Sequence, residues 1–570
     1  MTQRIISWIL SVLLLAAVGA GAASARVLNV RDFGAKGDGV TDDTKAINAA
    51  IAAGVSQGPG TRVLVPTGQY LLLSPTEGAH VHIRRANGLT FEGHKGAVLL
   101  ADDPNAHIID LSDSKNTTIR NLTLESDKYY FTQGTCVAQV SATHTVDLRL
   151  DLGYPEVDAP QIVSIAHWTI HIVDPKRPGP YEGPPYFTVA PIAEKRVGDR
   201  LWRLTFPDFH GWPAVPYDIN IVGKKILIWD DRRGSHGISA NNDLDCLVED
   251  VNYYGKGVNA GLILSNCTGT MTFRRLNIGC PPGSNGLLSC SGGGQMIDIR
   301  GRLVWDHCDF ERFDDDGADI LTNYVRVLRE PDPRTLEVDR GSHYVVGDRL
   351  SAVDWTKMQE VAEPQVVSVT ELDRGQSRLT LDRDLPALHT GTGSDRSRDS
   401  QVNDGIDRVA DYNNACQSVL FTHCRFQCNR ARPLNLKSQN CVVEDCDFYN
   451  CVMSPIEAGP EMWWGEAPFV HNLTIRHNTF AGNKSPDIDV GVFYDKENDC
   501  LGMDNSNILI EDNRFERSGP EGALRLRNAR NIVVRNNHFG QPASPLQKGF
   551  QVVNVSHCEG VALENNEGIR

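Results

Sequence analysis

Beyond its first residues the sequence has no long apolar run, no basic excess and no paired Cys-x-x-Cys spacing. After residue 25 nothing approaches the roughly 18 consecutive apolar residues that a helical membrane span requires, so no span is expected. The formal net charge is −16. An acidic surface repels nucleic acid, whose phosphates call for a basic footprint, and it disfavours polyanions such as polygalacturonate. Neutral sugars fit best. Of the fourteen cysteines, Cys424/Cys428 and Cys441/Cys446/Cys451 lack the spacing of a zinc site. No metal and no cofactor is expected.

At the N-terminus Arg4 precedes an apolar stretch from Ile5 to Val18, and Ala23-Ser24-Ala25 forms a small-residue cleavage site before Arg26. This pattern predicts a secretory signal peptide over residues 1–25. Removing Arg4 takes the net charge from −16 to −17. No cysteine follows the apolar stretch, which argues against a lipid anchor. The protein is expected to be exported, to the periplasm or the exterior.

What the chain has in abundance is a repeated tag, apolar-x-apolar-x-x-(Cys/Asn)-x-Phe. It recurs as Val419 to Phe426, Val442 to Phe448, Leu473 to Phe480, Ile508 to Phe515 and Ile532 to Phe539, with an earlier copy from Leu303 to Phe310. The last five phenylalanines lie 22, 32, 35 and 24 residues apart. Short β-rich units at such a period stack as a solenoid, with further coils expected at Leu89–Gly93, Thr117–Leu124, Leu247–Tyr253 and Met271–Ile278. The phenylalanines should form an internal ladder. Cys308, Cys424 and Cys446 share the tag position that Asn478, Asn513 and Asn537 hold later. Equivalent Cα atoms of stacked strands lie about 4.8 Å apart, but their parallel Cβ vectors suit a disulfide poorly. A thiol ladder continued by an asparagine ladder is the expected reading.

Val27 to Val30 reads as a first strand. Thr41 is predicted to cap a helix that carries Asp42 and Asp43 in its first turn and presents Ile47, Ala50, Ile51 and Val55 as one apolar stripe. That helix would cover the open end of the solenoid. Two segments break the rhythm, residues 140–230 and 325–400. Each contains Gly-Asp-Arg-Leu (198–201 and 347–350) and an Arg-Leu-Thr strand (203–205 and 378–380). They are read as two small, related antiparallel β-barrel inserts that can wall a groove.

The chemistry-bearing residues cluster in two places. Asp314-Asp315-Asp316 follows the coil that ends at Phe310. Glycosidic cleavage needs one carboxyl that holds its proton and one that is ionised, a split that burial and mutual repulsion produce. A solvated turn or a cation ladder is the plain alternative. The second cluster, Glu457 to Glu466 with Trp463-Trp464, lies in the long spacer between Phe448 and Phe480. Two adjacent loop tryptophans cannot both be core, so one should be free to stack on a sugar ring. Arg430, Arg432 and Asn435 on the intervening coil could donate hydrogen bonds to hydroxyls.

The stretch Asp32-Phe33-Gly34-Ala35-Lys36-Gly37-Asp38-Gly39 to Thr44 resembles the N-terminal cap of the pectin-lyase-like, right-handed parallel β-helix superfamily. The implied fold is all-β: one β-helix over 26–570, a short N-terminal capping helix and the two inserts. A closer resemblance covers most of the mature chain. Tyr130 to Thr135, Gly153-Tyr154-Pro155, the Gly-Asp-Arg-Leu inserts, Phe313 to Gly317, Arg430 to Leu434, and Trp464-Gly465-Glu466 with Ile475 to Phe480 appear in the order of glycoside hydrolase family 110. That resemblance implies an exo-acting, inverting α-1,3-galactosidase acting on oligosaccharides or polysaccharides with terminal galactose. Carried over, Asp315 is the general acid and Asp316 the candidate base, with Asp314 beside them and Trp464 and Glu466 in the sugar subsite, supported by Trp463, Arg432, Asn435 and Glu457. The family's further aspartate on the preceding coil has no counterpart in Ser291-Gly292-Gly293-Gly294-Gln295, which leaves Asp298 as the nearest acid.

Two other readings compete. One is a polysaccharide lyase in which the acids bind Ca²⁺ and Arg432 or a lysine abstracts a proton. The other is a non-catalytic, glycan-binding β-helix. The polygalacturonase motifs Asn-Thr-Asp, Gly-His-Gly and Arg-Ile-Lys are absent. A dimer is compatible with the sequence, which does not fix the oligomeric state.

Overall fold

The structure, a computed structural model, describes residues 26–163, 168–173, 187–188, 190–207, 220–230, 235–258, 260–339, 343–392, 404–494 and 500–569. The expected signal peptide lies outside these residues. Thirty-three strands join in one hydrogen-bonded array, almost entirely parallel and in constant register. Leu303 pairs with Val419, and the stack continues through Cys441, Leu473, Ile508 and Ile532. The repeat therefore folds as a parallel β-helix. Among the described residues no helix is long and apolar enough to cross a membrane.

The core follows from the tag. Phe310, Phe426, Phe448, Phe480, Phe515 and Phe539 stack with ring centroids 4.8 to 5.0 Å apart and planes 3 to 10° from parallel, a spacing that the coil repeat imposes. Cys308, Cys424 and Cys446 are buried free thiols. The backbone N–H of Cys446 donates to Asn478 Oδ1 at 2.9 Å, and the same bond repeats from Asn478 to Asn513, Asn513 to Asn537 and Asn537 to Asn566. Each asparagine so satisfies a backbone donor that would otherwise be buried unpaired.

A third ladder runs along the outside. Glu92, Arg120, Glu249, Arg274, Asp306, Thr422, Glu444, Arg476, Glu511, Arg535 and Glu564 occupy one register position on successive coils. Apart from Thr422 the signs alternate. Ion pairs join Arg120 to Glu92, Arg274 to both Glu249 and Asp306, Arg476 to Glu444, and Arg535 to Glu511.

The capping helix is Thr44–Gln57, with Ile47, Ala50 and Ile51 buried and Val55 packed against the core. It starts later than expected. Residues Asp38–Asp42 form a strand, Thr41 bonds to Asp38, and the N-cap is Asp43, whose carboxylate instead accepts the N–H groups of Lys36 and Gly37. Asp42 accepts from the Thr44 N–H and hydroxyl. The loop before the helix takes the cap's acceptor, so the first turn shifts.

The two inserts are seven-stranded antiparallel sheets with identical strand order. The first comprises Phe131–Val140, Thr145–Leu150, Trp168–Val173, Phe187–Thr188, Ala193–Gly198, Leu201–Thr205 and Lys225–Asp230; the second comprises Val325–Asp332, Thr335–Val338, Leu350–Asp354, Gln359–Ala362, Val366–Glu371, Ser377–Leu381 and Arg408–Asp411. Numbered within each insert, both run 4-3-7-1-2-6-5, and each has its own apolar core. The first begins ahead of residue 140 and the second continues past residue 400. The Arg-Leu-Thr segments occupy the sixth strand in both, where Arg203 pairs with Asp147 and Arg378 with Glu337 on the second strand. The Gly-Asp-Arg-Leu segments are not equivalent: Arg200 lies in the hairpin between strands five and six, whereas Arg349 leads into strand three.

Candidate active site

One face of the β-helix gathers the polar residues. The strands Ala318–Asn323, Leu434–Leu436, Ile456–Ala458, Ile488–Val490 and Leu524–Arg535 stack with Asp319, Asn435, Glu457, Asp489 and Arg525 in register. Their immediate neighbours, Ala318 and Ile320, Leu434 and Leu436, Ile456 and Ala458, Ile488 and Val490, and Leu524 and Leu526, fill the core. Strand alternation turns the central residue of each to the other side.

The three consecutive aspartates enter this face at the turn before Ala318, and each meets a different environment. Asp314 is buried, with its Oδ1 2.7 Å from Nε2 of His171 and 2.9 Å from Nε of Arg430. Asp316 accepts from Arg432 Nε at 2.8 Å and Nη2 at 2.7 Å, from the Arg432 N–H at 3.2 Å and from Asn435 Nδ2 at 2.9 Å. Asp315 points outward and is open to solvent.

The Trp463-Trp464 segment closes over the same face. The short strand Glu466–Ala467 pairs antiparallel with Thr322 and Asn323, and Tyr324 N donates to Gly465 O at 2.8 Å. The second insert starts at the next residue, and its Trp355 and Met358 pack with Tyr324, Met462, Phe469 and Tyr494. Glu461 anchors the segment. It accepts from Arg432 Nη1 at 2.6 Å, Asn435 Nδ2 at 2.9 Å and Trp463 Nε1 at 3.2 Å, and lies 3.0 Å from Lys437 Nζ. Trp463 is therefore held down, while Trp464 remains 49% exposed. Lys437, wholly buried, also contacts Asp319 at 2.7 Å and Glu466 at 2.8 Å. Gln295 donates to Asp319 at 3.1 Å, and Arg432 Nη1 donates to Glu457 at 2.9 Å.

Asp314, Asp316, Arg432, Asn435, Glu457, Trp463, Trp464 and Glu466 thus share one site with Asp315. Asp298 does not. It follows the end of the strand Gly294–Ile297, bonds to Thr322 and has Arg300 and His343 as its charged neighbours, whereas Asp315 stands at the other end of that coil, where its N–H meets Ser291 O. The floor beneath Asp315 is Gly292: a Cβ there would lie 3.7 Å from Asp315 Cβ and 2.8 Å from the Asp316 carbonyl oxygen.

The electrostatics separate the acids. Asp315 is exposed, with the charges of Asp314, Asp316, Arg430 and Arg432 around it. Desolvation, followed by the charges of Asp316 and Asp314, pushes its carboxyl to about 7 against the pull of Arg430 and Arg432. Burial also pushes Glu457 up to about 8, against Arg432. Burial would raise Asp314 as well, but Arg430 and His171 hold it below the ordinary carboxylate value. Glu461, though buried, is held well below by Lys437 and Arg432. Burial pulls down Arg432 and Lys437, but their carboxylate neighbours more than offset it and hold both cations well above their usual values. Both are thereby held as cations, whereas the abstracting base of a lyase would have to release its proton.

His171, Asp319 and Lys437 were not foreseen, and Glu461 only as a member of the Glu457–Glu466 cluster. For Asp319 a signal was present: the apolar-polar-apolar triplets that align in the stack. His171 gave none, because an insert 143 residues earlier in the chain than Asp314 supplies it.

Comparison with known proteins agrees with this architecture. A model described as "Rhamnogalacturonase A/epimerase, pectate lyase-like" matches residues 27–145, and one described as "Right handed beta helix region" matches 403–568. The chain is a right-handed parallel β-helix protein. It is similar to α-1,3-galactosidase A of Bacteroides thetaiotaomicron, 25% identical over 57% of this chain and 56% of that protein. It is also similar to α-1,3-galactosidase A of Bacteroides fragilis strain NCTC 9343, 26% identical over 48% of this chain and 46% of that protein, and to that of Shewanella woodyi, 22% identical over 80% and 76%. These similarities agree with the resemblance to glycoside hydrolase family 110 seen in the sequence. The chain spans about half the length of the first two relatives it matches.

Proposed function

We propose that this protein is an exported, exo-acting glycoside hydrolase that removes terminal α-1,3-linked galactose with inversion at the anomeric carbon. The observation that carries the reading is the division of labour between adjacent acids. Asp315, solvent-facing and holding its proton to about pH 7, is suited to protonate a departing glycosidic oxygen. Asp316, gripped through both oxygens by Arg432 and Asn435, is the candidate base for the attacking water. Trp464 offers an exposed ring for the sugar face, and the glycine floor at 292 leaves room beside Asp315. The similarity to α-1,3-galactosidases points to galactose and to the linkage.

Proton NMR of the first sugar released from an α-1,3-linked digalactoside tests the reading. The β-anomer should appear first; an α-anomer would mean retention and would overturn the assigned roles. Asp315→Asn should lose at least about a hundredfold in kcat/KM on substrates with poor leaving groups. It should lose far less on 4-nitrophenyl galactosides, whose leaving group departs without a proton. Equal losses on both would remove Asp315 as the acid.

A further inference from the structure

His171 is brought to the site by the first insert, from its third strand, Trp168–Val173. Its side chain is wholly buried and its ring stacks on Trp229, centroids 6.5 Å apart at 24°. Trp229 in turn packs with Phe131, Tyr154 and Leu288. The imidazole is therefore held by the insert's own packing and delivered to one atom, Oδ1 of Asp314, at 2.7 Å. Arg430, from the coil that follows in the stack, reaches the same oxygen at 2.9 Å.

The insert is itself keyed to the β-helix next to this point. Gln133 donates to Asn285 O at 3.1 Å and accepts from Leu287 N–H at 2.8 Å. The backbone N–H groups of Asp314 and Asp315 both meet Ser291 O, so whatever fixes Asp314 also bears on Asp315.

We propose that His171 is a positioning residue that acts through Asp314: together with Arg430 it commits that carboxylate as an anion and leaves Asp315 as the member of the pair that carries the proton. The proposal rests on reading Asp315 as the acid. The groups that hold Asp314 down are Arg430 from the next coil and His171 from the insert. Those that bear on Asp315 are Asp316, Arg430, Asp314 and Arg432. The charge of Asp314, after that of Asp316, raises Asp315, so the two titrations are linked. Without His171 the doubly ionised state of the pair loses a stabilising donor, and the proton can reside on Asp314 instead. Both effects make the pair keep its last proton to higher pH.

The test compares wild type, His171→Gln, the shorter His171→Asn and Asp314→Asn. The alkaline limb of the kcat/KM profile should move up by about half a pH unit or more in either histidine variant. In Asp314→Asn it should move down, because a like charge beside Asp315 is gone, and adding His171→Gln to that variant should change it no further. The same shifts are read without catalysis from the carboxyl ¹³C titration of Asp315 in aspartate-labelled protein, assigned by its loss in Asp315→Asn. If wild type hydrolyses no galactoside, the proposed function fails, and the NMR titration still decides the role of His171. Loss of the last proton from Asp314 and Asp315, followed on both carboxyls, at an unchanged or lower pH in His171→Gln or His171→Asn would overturn the proposal, and a fall in Tm with no such shift would mean that His171 only holds the insert in place.

Discussion

Three aspartates adjacent in sequence come to rest in three surroundings, and the differences among them arise from residues far away in the chain. Asp314 is matched by His171 and Arg430, Asp316 by Arg432 and Asn435, and Asp315 by neither pair alone. A carboxyl raised from 3.8 to about 7 binds more protons in the folded than in the unfolded protein between those values, so its contribution to stability falls as pH rises across that window. Asp315→Asn removes this cost. The variant should gain in Tm relative to wild type on going from pH 5 to pH 8, and a scan in which that difference stays constant or reverses would contradict the assigned environment. The aspartate run and the tryptophan pair were legible because each is contiguous and made of residue types with obvious chemistry. Asp319 was missed as a single acid between Ala318 and Ile320, and Lys437 because the acids that hold it, Asp319, Glu461 and Glu466, stand on other coils. Asp298 was overvalued: closeness in sequence stood in for closeness in space, and a strand intervenes.

At the scale of the coil, the tag acts through side chains that repeat at one position. Asn513 accepts from the Asn478 N–H and donates to Ile475 O and Asn537 Oδ1. Replacing it with alanine leaves buried donors and acceptors unpaired, at a cost of about 2–4 kcal/mol by urea unfolding. Asn513→Cys should cost distinctly less, since a thiol already serves at the equivalent position, where Cys446 Sγ accepts the Cys424 N–H at 3.3 Å. A cysteine variant no better than alanine would mean that the two ladders are not interchangeable. This level of the structure was the most legible, because a period of side chains is a statement about registry. The helix start was not, since Asp43 serves the Lys36-Gly37 loop, a tertiary demand that no local pattern announces.

On the scale of the whole molecule, the two inserts are one module used twice. The kinship was visible in Arg203-Leu204-Thr205 and Arg378-Leu379-Thr380, which align on the sixth strand, while Gly-Asp-Arg-Leu was a coincidence of turn residues. In each module the first and seventh strands are neighbours, Phe131 opposite Trp229 and Val325 opposite Val409, so the chain leaves and rejoins the β-helix at nearly one point. Replacing residues 325–411 with a short Gly-Ser linker should therefore preserve a β-rich far-UV circular dichroism spectrum with a cooperative transition. Galactosidase activity should fall by at least about a hundredfold, because Met462 and Phe469 lose Trp355 and Met358 and the tryptophan segment loses its backing. A non-cooperative product would show that the module is part of the folding unit rather than an addition to it. The alternating charges outside the solenoid bear on how such a chain can lengthen. Dropping a single rung, Arg120 for instance, would bring Glu92 against Glu249, a like-signed contact that disfavours pairing, whereas dropping two in succession restores opposite neighbours. By this rule coils are lost in twos, except beside Thr422, the one neutral rung, where losing the Asp306 or the Glu444 rung alone brings no like charges together.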